Sequence, residues 1–364
     1  MSQTAIHTKS PITGPRDYGY PNARLRGMRS HLIKAEALER LMETNDLHDL
    51  IQELMQTEYA PDLEEALIKG RGAAEIAEGL RLNLVRTYRK VFGFLNEEAK
   101  DVCGTLLGRW DIFNIKTIVR GRHVHLSAGE IAESLLPVGE LSQVDLDVLL
   151  AQNDIRGVVD TATTWDLPQA PALREGFVEF QKSGELADLE LALDRYFARW
   201  AAQRLAGKNR NYAMGRRLLG MQIDILNLIM LFRSARENLS NEQAERYFLL
   251  GGHGLELEMY IRLSALSDID EVLDGLRATH YGKVLEDVAP LYLETMSIAT
   301  FERALEDYLT RKMIAVGATD PLGVGIPIAY LWSKQNEVTN VRIITKAKDI
   351  GIPADRTRRE LILV

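Results

Sequence analysis

The chain is expected to fold as nearly all α-helix, and three observations predict it. Apolar residues recur at helical steps. Leu38, Leu41 and Met42, then Leu47, Leu50, Ile51 and Leu54, fall at the i, i+3, i+4 spacings of an amphipathic stripe. Strand-like alternation with β-branched enrichment is almost absent. One helical phrase is also written three times, around Asn114 (Asp111 to Arg120), Asn227 (Asp224 to Arg233) and Asn340 (Glu337 to Lys346). Each copy has an acid three residues before the Asn, a base six residues after it, and apolar residues at the +1 and +4 places. Finally, Asn114, Asn227 and Asn340 are spaced by 113 residues both times. That period is far longer than a solenoid repeat, so each unit is domain-sized. Three similar helical domains with pseudo-threefold symmetry are expected.

Residues 1–17 are polar and carry Pro11, Gly14 and Pro15, the composition of a flexible tail. Three repeat domains then follow, at about 18–118, 119–231 and 232–364, the last with a closing helix. A looser copy of the phrase sits at Asn22, in Tyr20-Pro-Asn22-Ala-Arg24-Leu-Arg26. Long helical stretches precede the later copies: Ala73 to Phe92, Leu186 to Leu205 and Thr300 to Val316. In the second and third, a Glu is followed by Leu at +3 and Tyr at +6 (Glu190, Leu193, Tyr196; Glu302, Leu305, Tyr308). A further phrase opens with Asn or Ser and Asp ahead of an apolar run, at Asp46, Asp154 and Asp268. Such residues begin helices, because the side chain accepts from an unpaired N–H and the carboxylate suits the positive end of the helix dipole. This phrase closes on Thr-x-aromatic, at Tyr59, Trp165 and Tyr281, with the middle copy two residues shorter. The aromatics are expected to be buried plugs. The chain begins and closes part-way through a unit, which lets consecutive domains share long helices.

Composition limits the function. Hydrophobic residues make up 46% and charged residues 26%, enough for real cores. A net charge of −8 argues against a nucleic-acid binder. Cys103 is the single cysteine, so an intramolecular disulfide and a cysteine zinc site are excluded. A reducing, cytoplasmic setting is the expectation. No run of about 18 uncharged apolar residues occurs, so no membrane span is expected.

Catalytic signatures fail one by one, and no catalytic, cofactor or metal residues are assigned. There is no phosphate loop and no nucleophile elbow. Gly323-Val-Gly325 begins a dinucleotide-like pattern, but Ile328 stands where the third glycine belongs. His123-Val-His125 has the look of a metal fragment, yet no further His or Cys completes a site. Two solvent-facing histidines after a helix is the plainer reading. Gly251-Gly252-His253-Gly254 reads as an anion cradle or, preferably, a permissive turn between helices. Asn114, Asn227 and Asn340 are either ligands in three equivalent sites or buried amides that bond the neighbouring long helix at a fixed crossing. The second reading is preferred, since buried amides persist where their bonds are satisfied. The segment Asp320-Pro321-Leu322-Gly323-Val324-Gly325 turns sharply before a helix, as a contact surface or a tight packing corner.

Taken in order and spacing, Tyr20 to Arg26, Asp111 to Arg120, Asp320 to Gly325 with Ala329-Tyr330, and Asn340 to Ala347 resemble a known family. It is the C subunit of V/A-type rotary ATPases, counterpart of the eukaryotic vacuolar d subunit. The resemblance covers about residues 18–360. It implies a funnel of three helical domains with no catalytic role and no cofactor. The funnel would sit on the cytoplasmic face of the membrane rotor ring (c/K subunits) and receive the foot of the central shaft (subunits D and F). ATP synthesis or hydrolysis would thereby be linked to proton or sodium transport. The resemblance also makes the 320–327 corner a candidate contact segment. Two rivals share the repeat: a general helical scaffold or adaptor, and an enzyme of unfamiliar type.

Overall fold

In the computed structural model the described residues are 17–237 and 240–364. The tail expected over 1–17 lies outside them apart from Asp17. Among the described residues there are twenty α-helices and no strand. The long stretches are helices Ala73–Phe94, Leu186–Arg204 and Ala299–Thr319. The phrase Asn residues lie on helices Arg109–His123, Arg210–Glu237 and Gly325–Asp349.

Local chemistry starts the short helices where the sequence places them. The carboxylates of Asp46 and Asp154 accept from the N–H groups of Asp49 and Gly157 at 2.9 and 2.8 Å. Asp268 accepts from Asp270 N–H at 2.9 Å. A cap of this kind stabilises a helix by about 1 kcal/mol.

The long helices bury equivalent stripes: Ile76, Leu80 and Leu84; Leu189, Leu193 and Phe197; Phe301, Leu305 and Leu309. Each row follows the i, i+4 step, which puts one apolar face inward. Burying one such side chain stabilises by about 1.5–3 kcal/mol. Phe301 also stacks between Phe232 and Tyr292, with ring centroids 4.4 and 4.8 Å away.

Helix Gly325–Asp349 is buried along most of its length. It packs against helices Ala299–Thr319 and Ala73–Phe94 and against three short helices between residues 19 and 54. The end of the chain is thus embedded in its beginning. Helix Arg210–Arg236 is long and apolar enough to cross a membrane, but 78% of its most apolar window is buried inside the fold. Asp224 and Asn227, fully buried on that helix, are held by protein partners.

Candidate interaction site: the carboxylate knots and the cavity beside the Asn340 helix

The three phrase asparagines do one job. Asn114 Nδ2 donates to the Leu136 carbonyl at 2.7 Å, and its Oδ1 accepts from Leu136 N–H at 2.8 Å. Asn227 does the same with Leu249, at 2.9 and 2.8 Å, and Asn340 with Ile362, at 2.9 and 3.1 Å. Each time the partner lies 22 residues downstream in an extended segment. A side-chain amide pairs with one residue's backbone as a strand neighbour would, satisfying a donor and an acceptor that burial would otherwise strand. The expected partner, the long helix, is therefore corrected to this extended segment. One N–H and the carbonyl oxygen of each amide are thereby used within the fold. Asn22 is not a fourth copy: its Nδ2 donates to the Gly323 carbonyl at 3.1 Å, and its Oδ1 is buried without a partner.

The acid three residues before each Asn holds a second strip of backbone. Asp111 accepts from Glu140 and Leu141 N–H at 2.8 and 3.1 Å. Asp224 accepts from His253, Gly254 and Leu255 at 3.0, 2.7 and 3.3 Å. The glycine-rich turn at 251–254 thus cradles an anion after all, the protein's own carboxylate. A Cβ on Gly139 would lie 2.1 Å from Asp111 Oδ1, and one on Gly252 2.0 Å from Asp224 Oδ1, so glycine is required where the turn meets each acid. Glu337 draws its donors from the start of the chain: Ile33 N–H and the Tyr59 hydroxyl, both at 2.5 Å, with Lys334 at 2.6 Å. These acids stood in the sequence phrase, but nothing local to them named their partners.

Two of the aromatic plugs close the knots. Tyr59 donates to Glu337, and Tyr281 donates to Asp224 at 2.8 Å; both rings are buried. Trp165 is a correction: it is 47% exposed. The middle copy is two residues shorter and its aromatic has no hydroxyl, so it neither reaches nor suits the acid. Asp111 is consequently left with backbone donors alone. Burial pushes its carboxyl up to about 7, the two backbone N–H groups opposing and the Glu140 and Asp145 charges adding to the rise.

The bases six residues after the asparagines form clamps onto long helices. Arg120 grips Glu190 through two bonds of 2.5 Å, and Arg233 reaches Glu302 at 2.7 Å. Beside the first clamp, Lys116 meets Asp194 at 2.5 Å. The third crossing differs. Glu190 stands 37 residues before Asn227, and the same count back from Asn114 reaches Ala77. The equivalent of Asp194 is likewise Arg81, which turns to Glu78 and Gln143. Lys346 therefore meets no acid on helix Ala73–Phe94 and lies 3.9 Å from Asp349. Arg342, at the place of Lys116, donates to the Glu133 carbonyl, and burial pulls its guanidinium below the usual arginine range.

A cavity of about 850 Å³ opens beside this third crossing. Its walls include Ala77, Trp110, Phe113, Trp332, Arg342 and Lys346, from three helices far apart in sequence. The 320–325 corner lies elsewhere. Asp320 is buried and accepts from Gly325 N–H at 3.0 Å, Arg26 donates to the Pro321 carbonyl at 2.7 Å, and Leu322 is exposed at the tip. The corner thus ties the first helix to the last long one. His123 packs edge-on against Phe180, and no group of three or more potential metal ligands occurs among the described residues.

A family model described as ATP synthase (C/AC39) subunit matches residues 21–360. The chain belongs to the ATP synthase (C/AC39) subunit family. Similar proteins include the C subunit of the A-type ATP synthase of Methanobrevibacter smithii, 30% identical over 98% of this chain and 91% of that protein. The C subunit of the V-type ATP synthase of Deinococcus radiodurans is 30% identical over 95% and 92%. The A-type protein of Methanocaldococcus jannaschii is 28% identical over 95% and 86%. Membership in the C/AC39 family makes the chain a non-catalytic component of an ATP synthase.

Proposed function

We propose that the chain is the rotor piece that joins the central shaft to the membrane ring of a V/A-type ATP synthase or ATPase. Its partners would be the shaft subunits D and F on one side and the c/K ring on the other. It would lie peripherally on the cytoplasmic face of the membrane and couple ATP synthesis or hydrolysis to proton or sodium movement. Three similar helical units, about 18–118, 119–231 and 232–364, would form the funnel that receives the shaft, with the exposed tip at Leu322 a candidate contact.

The observation that carries this reading is the knot at Glu337. It bonds backbone and side chain at Ile33 and Tyr59, some 300 residues away in sequence. A part that transmits torque must not shear, and a buried tie between the last long helix and the first short ones would resist shear between them. Half-exposed ion pairs such as Arg233–Glu302 add only about 1 kcal/mol each, so the buried knots would carry the load.

The test is coupling in membranes that lack this chain. ATP hydrolysis by the soluble sector should persist, while ATP-driven ion transport should vanish. The purified chain should neither bind nor hydrolyse ATP. Ion transport at the normal rate without it would overturn the assignment and favour a passive adaptor.

A further inference from the structure

We propose that a second cavity binds a single phosphate group, carried by a small soluble molecule or by an anionic lipid. The proposal does not depend on the rotor reading. The cavity holds about 510 Å³ and lies between helices Gly19–Arg29, Ala73–Phe94 and Gly325–Asp349. Five bases reach its wall, Arg24, His31, Arg86, Lys90 and Lys334, against one acid, Glu58. Three of the bases are matched. Glu58 lies 3.1 Å from His31 Nδ1 at the exposed rim. Buried Asp62 and Glu337, which do not line the cavity, hold Arg86 and Lys334 at 2.5 and 2.6 Å. Arg24 and Lys90 meet no carboxylate among the described residues. Arg24 donates to the Tyr20 hydroxyl at 2.8 Å and lies over the Phe94 ring, and Lys90 is exposed and makes no hydrogen bond or ion pair there.

Tyr330 points to a ligand independently. It is 4% exposed, and its hydroxyl has no hydrogen-bond partner among the described residues. The unpaired Tyr260 hydroxyl is sealed in the core, but that of Tyr330 is not enclosed and opens on the cavity. Burial, with the Glu337 and Glu58 charges, raises its pKa, so it is a donor at any ordinary pH. Thr87, three residues before Lys90, adds a second hydroxyl without a partner among the described residues. Donors this buried call for an acceptor, and beside two free cations an anionic oxygen suits them. Arg24 and Lys90 together balance the charge of about −1.5 to −2 that one phosphate carries at pH 7, and a triphosphate exceeds it. Tyr330 and Lys334 form a floor that is 4% exposed at both residues, deep enough to need a compact group. Residues 1–16 carry Lys9 and Arg16 and no acid, so the start of the chain does not supply the anion.

The test titrates inorganic phosphate into the purified full-length chain and follows binding by calorimetry. One saturable site is expected, weakened by added salt because exposed charges are screened. Tyr330→Phe removes only the unpaired hydroxyl and should weaken binding about tenfold. Lys90→Gln should weaken it about threefold. The Tyr330 hydroxyl and the Lys90 ammonium make no bond within the fold, so both variants should keep the parent Tm. Lys346→Gln, outside this cavity, should bind as the parent does. Flotation with phosphatidylglycerol vesicles, compared with phosphatidylcholine vesicles, separates the two sources. Flotation that is lost in Tyr330→Phe assigns the phosphate to a lipid; flotation that is absent, or indifferent to the substitution, assigns it to a soluble molecule. No saturable binding in either arm, or an affinity indifferent to both substitutions, would overturn the site. So would ATP binding as tightly as phosphate, or a photo-crosslink from Thr87 to an acidic segment of another protein in the complete complex. None of these outcomes touches the coupling assay, so the rotor reading stands or falls separately.

Discussion

Replacing Tyr59 by Phe isolates the knot that joins the two ends of the fold. The substitution removes one oxygen and leaves the ring. Tyr59 is 1% exposed and its hydroxyl donates to Glu337 at 2.5 Å. The ring also lies under Lys334, whose ammonium is 4.0 Å from the centroid, and Lys334 itself pairs with Glu337 at 2.6 Å. In Tyr59→Phe the carboxylate keeps Lys334 and Ile33 N–H but loses its hydroxyl donor. A hydrogen bond to a charged group contributes about 1.5–3 kcal/mol. Unfolding entropy of about 2.1 cal/mol/K per residue converts that, over 364 residues, to a fall of about 2–4 °C in Tm. Calorimetry of the purified chain measures it. A double-mutant cycle with Glu337→Gln should return a coupling of at least about 1 kcal/mol, as expected for residues in contact. A Tm within about 0.5 °C of the parent, together with additive double-mutant effects, would refute the claim that this bond stiffens the body.

The remaining predictions concern the other two copies. Tyr281→Ala should cost about 3–5 kcal/mol, because its ring is 1% exposed, while Trp165→Ala should cost about 1 kcal/mol or less, because it is half exposed; denaturant midpoints compare them. Asn227→Ala should destabilise by about 2–4 kcal/mol, since it strands both the N–H and the carbonyl of Leu249. Asp111 should make stability fall as pH rises. Its folded carboxyl binds a proton up to about pH 7, against about 3.9 when unfolded. Its contribution is therefore full below about pH 4 and gone above about pH 7, a loss of about 2–3 kcal/mol between pH 5 and 8. Asp111→Asn should flatten that part of the profile in urea titrations, and an unchanged slope would show that another group sets it.

Much of the architecture was legible because it is periodic. The 113-residue interval and the i, i+4 stripes located the Asn helices and the long helices to within a few residues. The Asp caps were readable because a cap is local, reaching two or three residues along the chain. What was illegible depends on distance. That Asn114 would seize Leu136 and not a long helix needs the path of the intervening chain. The exposure of Trp165 was hidden because an aromatic in a repeated place reads as core, although the two missing residues of that copy were a visible warning. Ala77 carried no signal at all by itself. It gains meaning only once the buried faces align and show it standing where Glu190 and Glu302 stand.

The tie between Glu337 and the Ile33–Tyr59 region also bears on how the chain is made. Its partners are separated by 304 and 278 residues. At about 5–20 residues per second, the ribosome delivers Glu337 about 15–55 s after Tyr59. Throughout that time the short helices near the start have no long helix to cover them, and their apolar stripe, Leu50, Ile51 and Leu54, is open to misassociation. The bonds of Asn114 and Asp111, which span 22 to 30 residues, can form soon after their segment emerges. The order of birth is therefore not the order of completion: the Ile33–Tyr59 region waits for a helix made some 280 residues later before it is fixed in place.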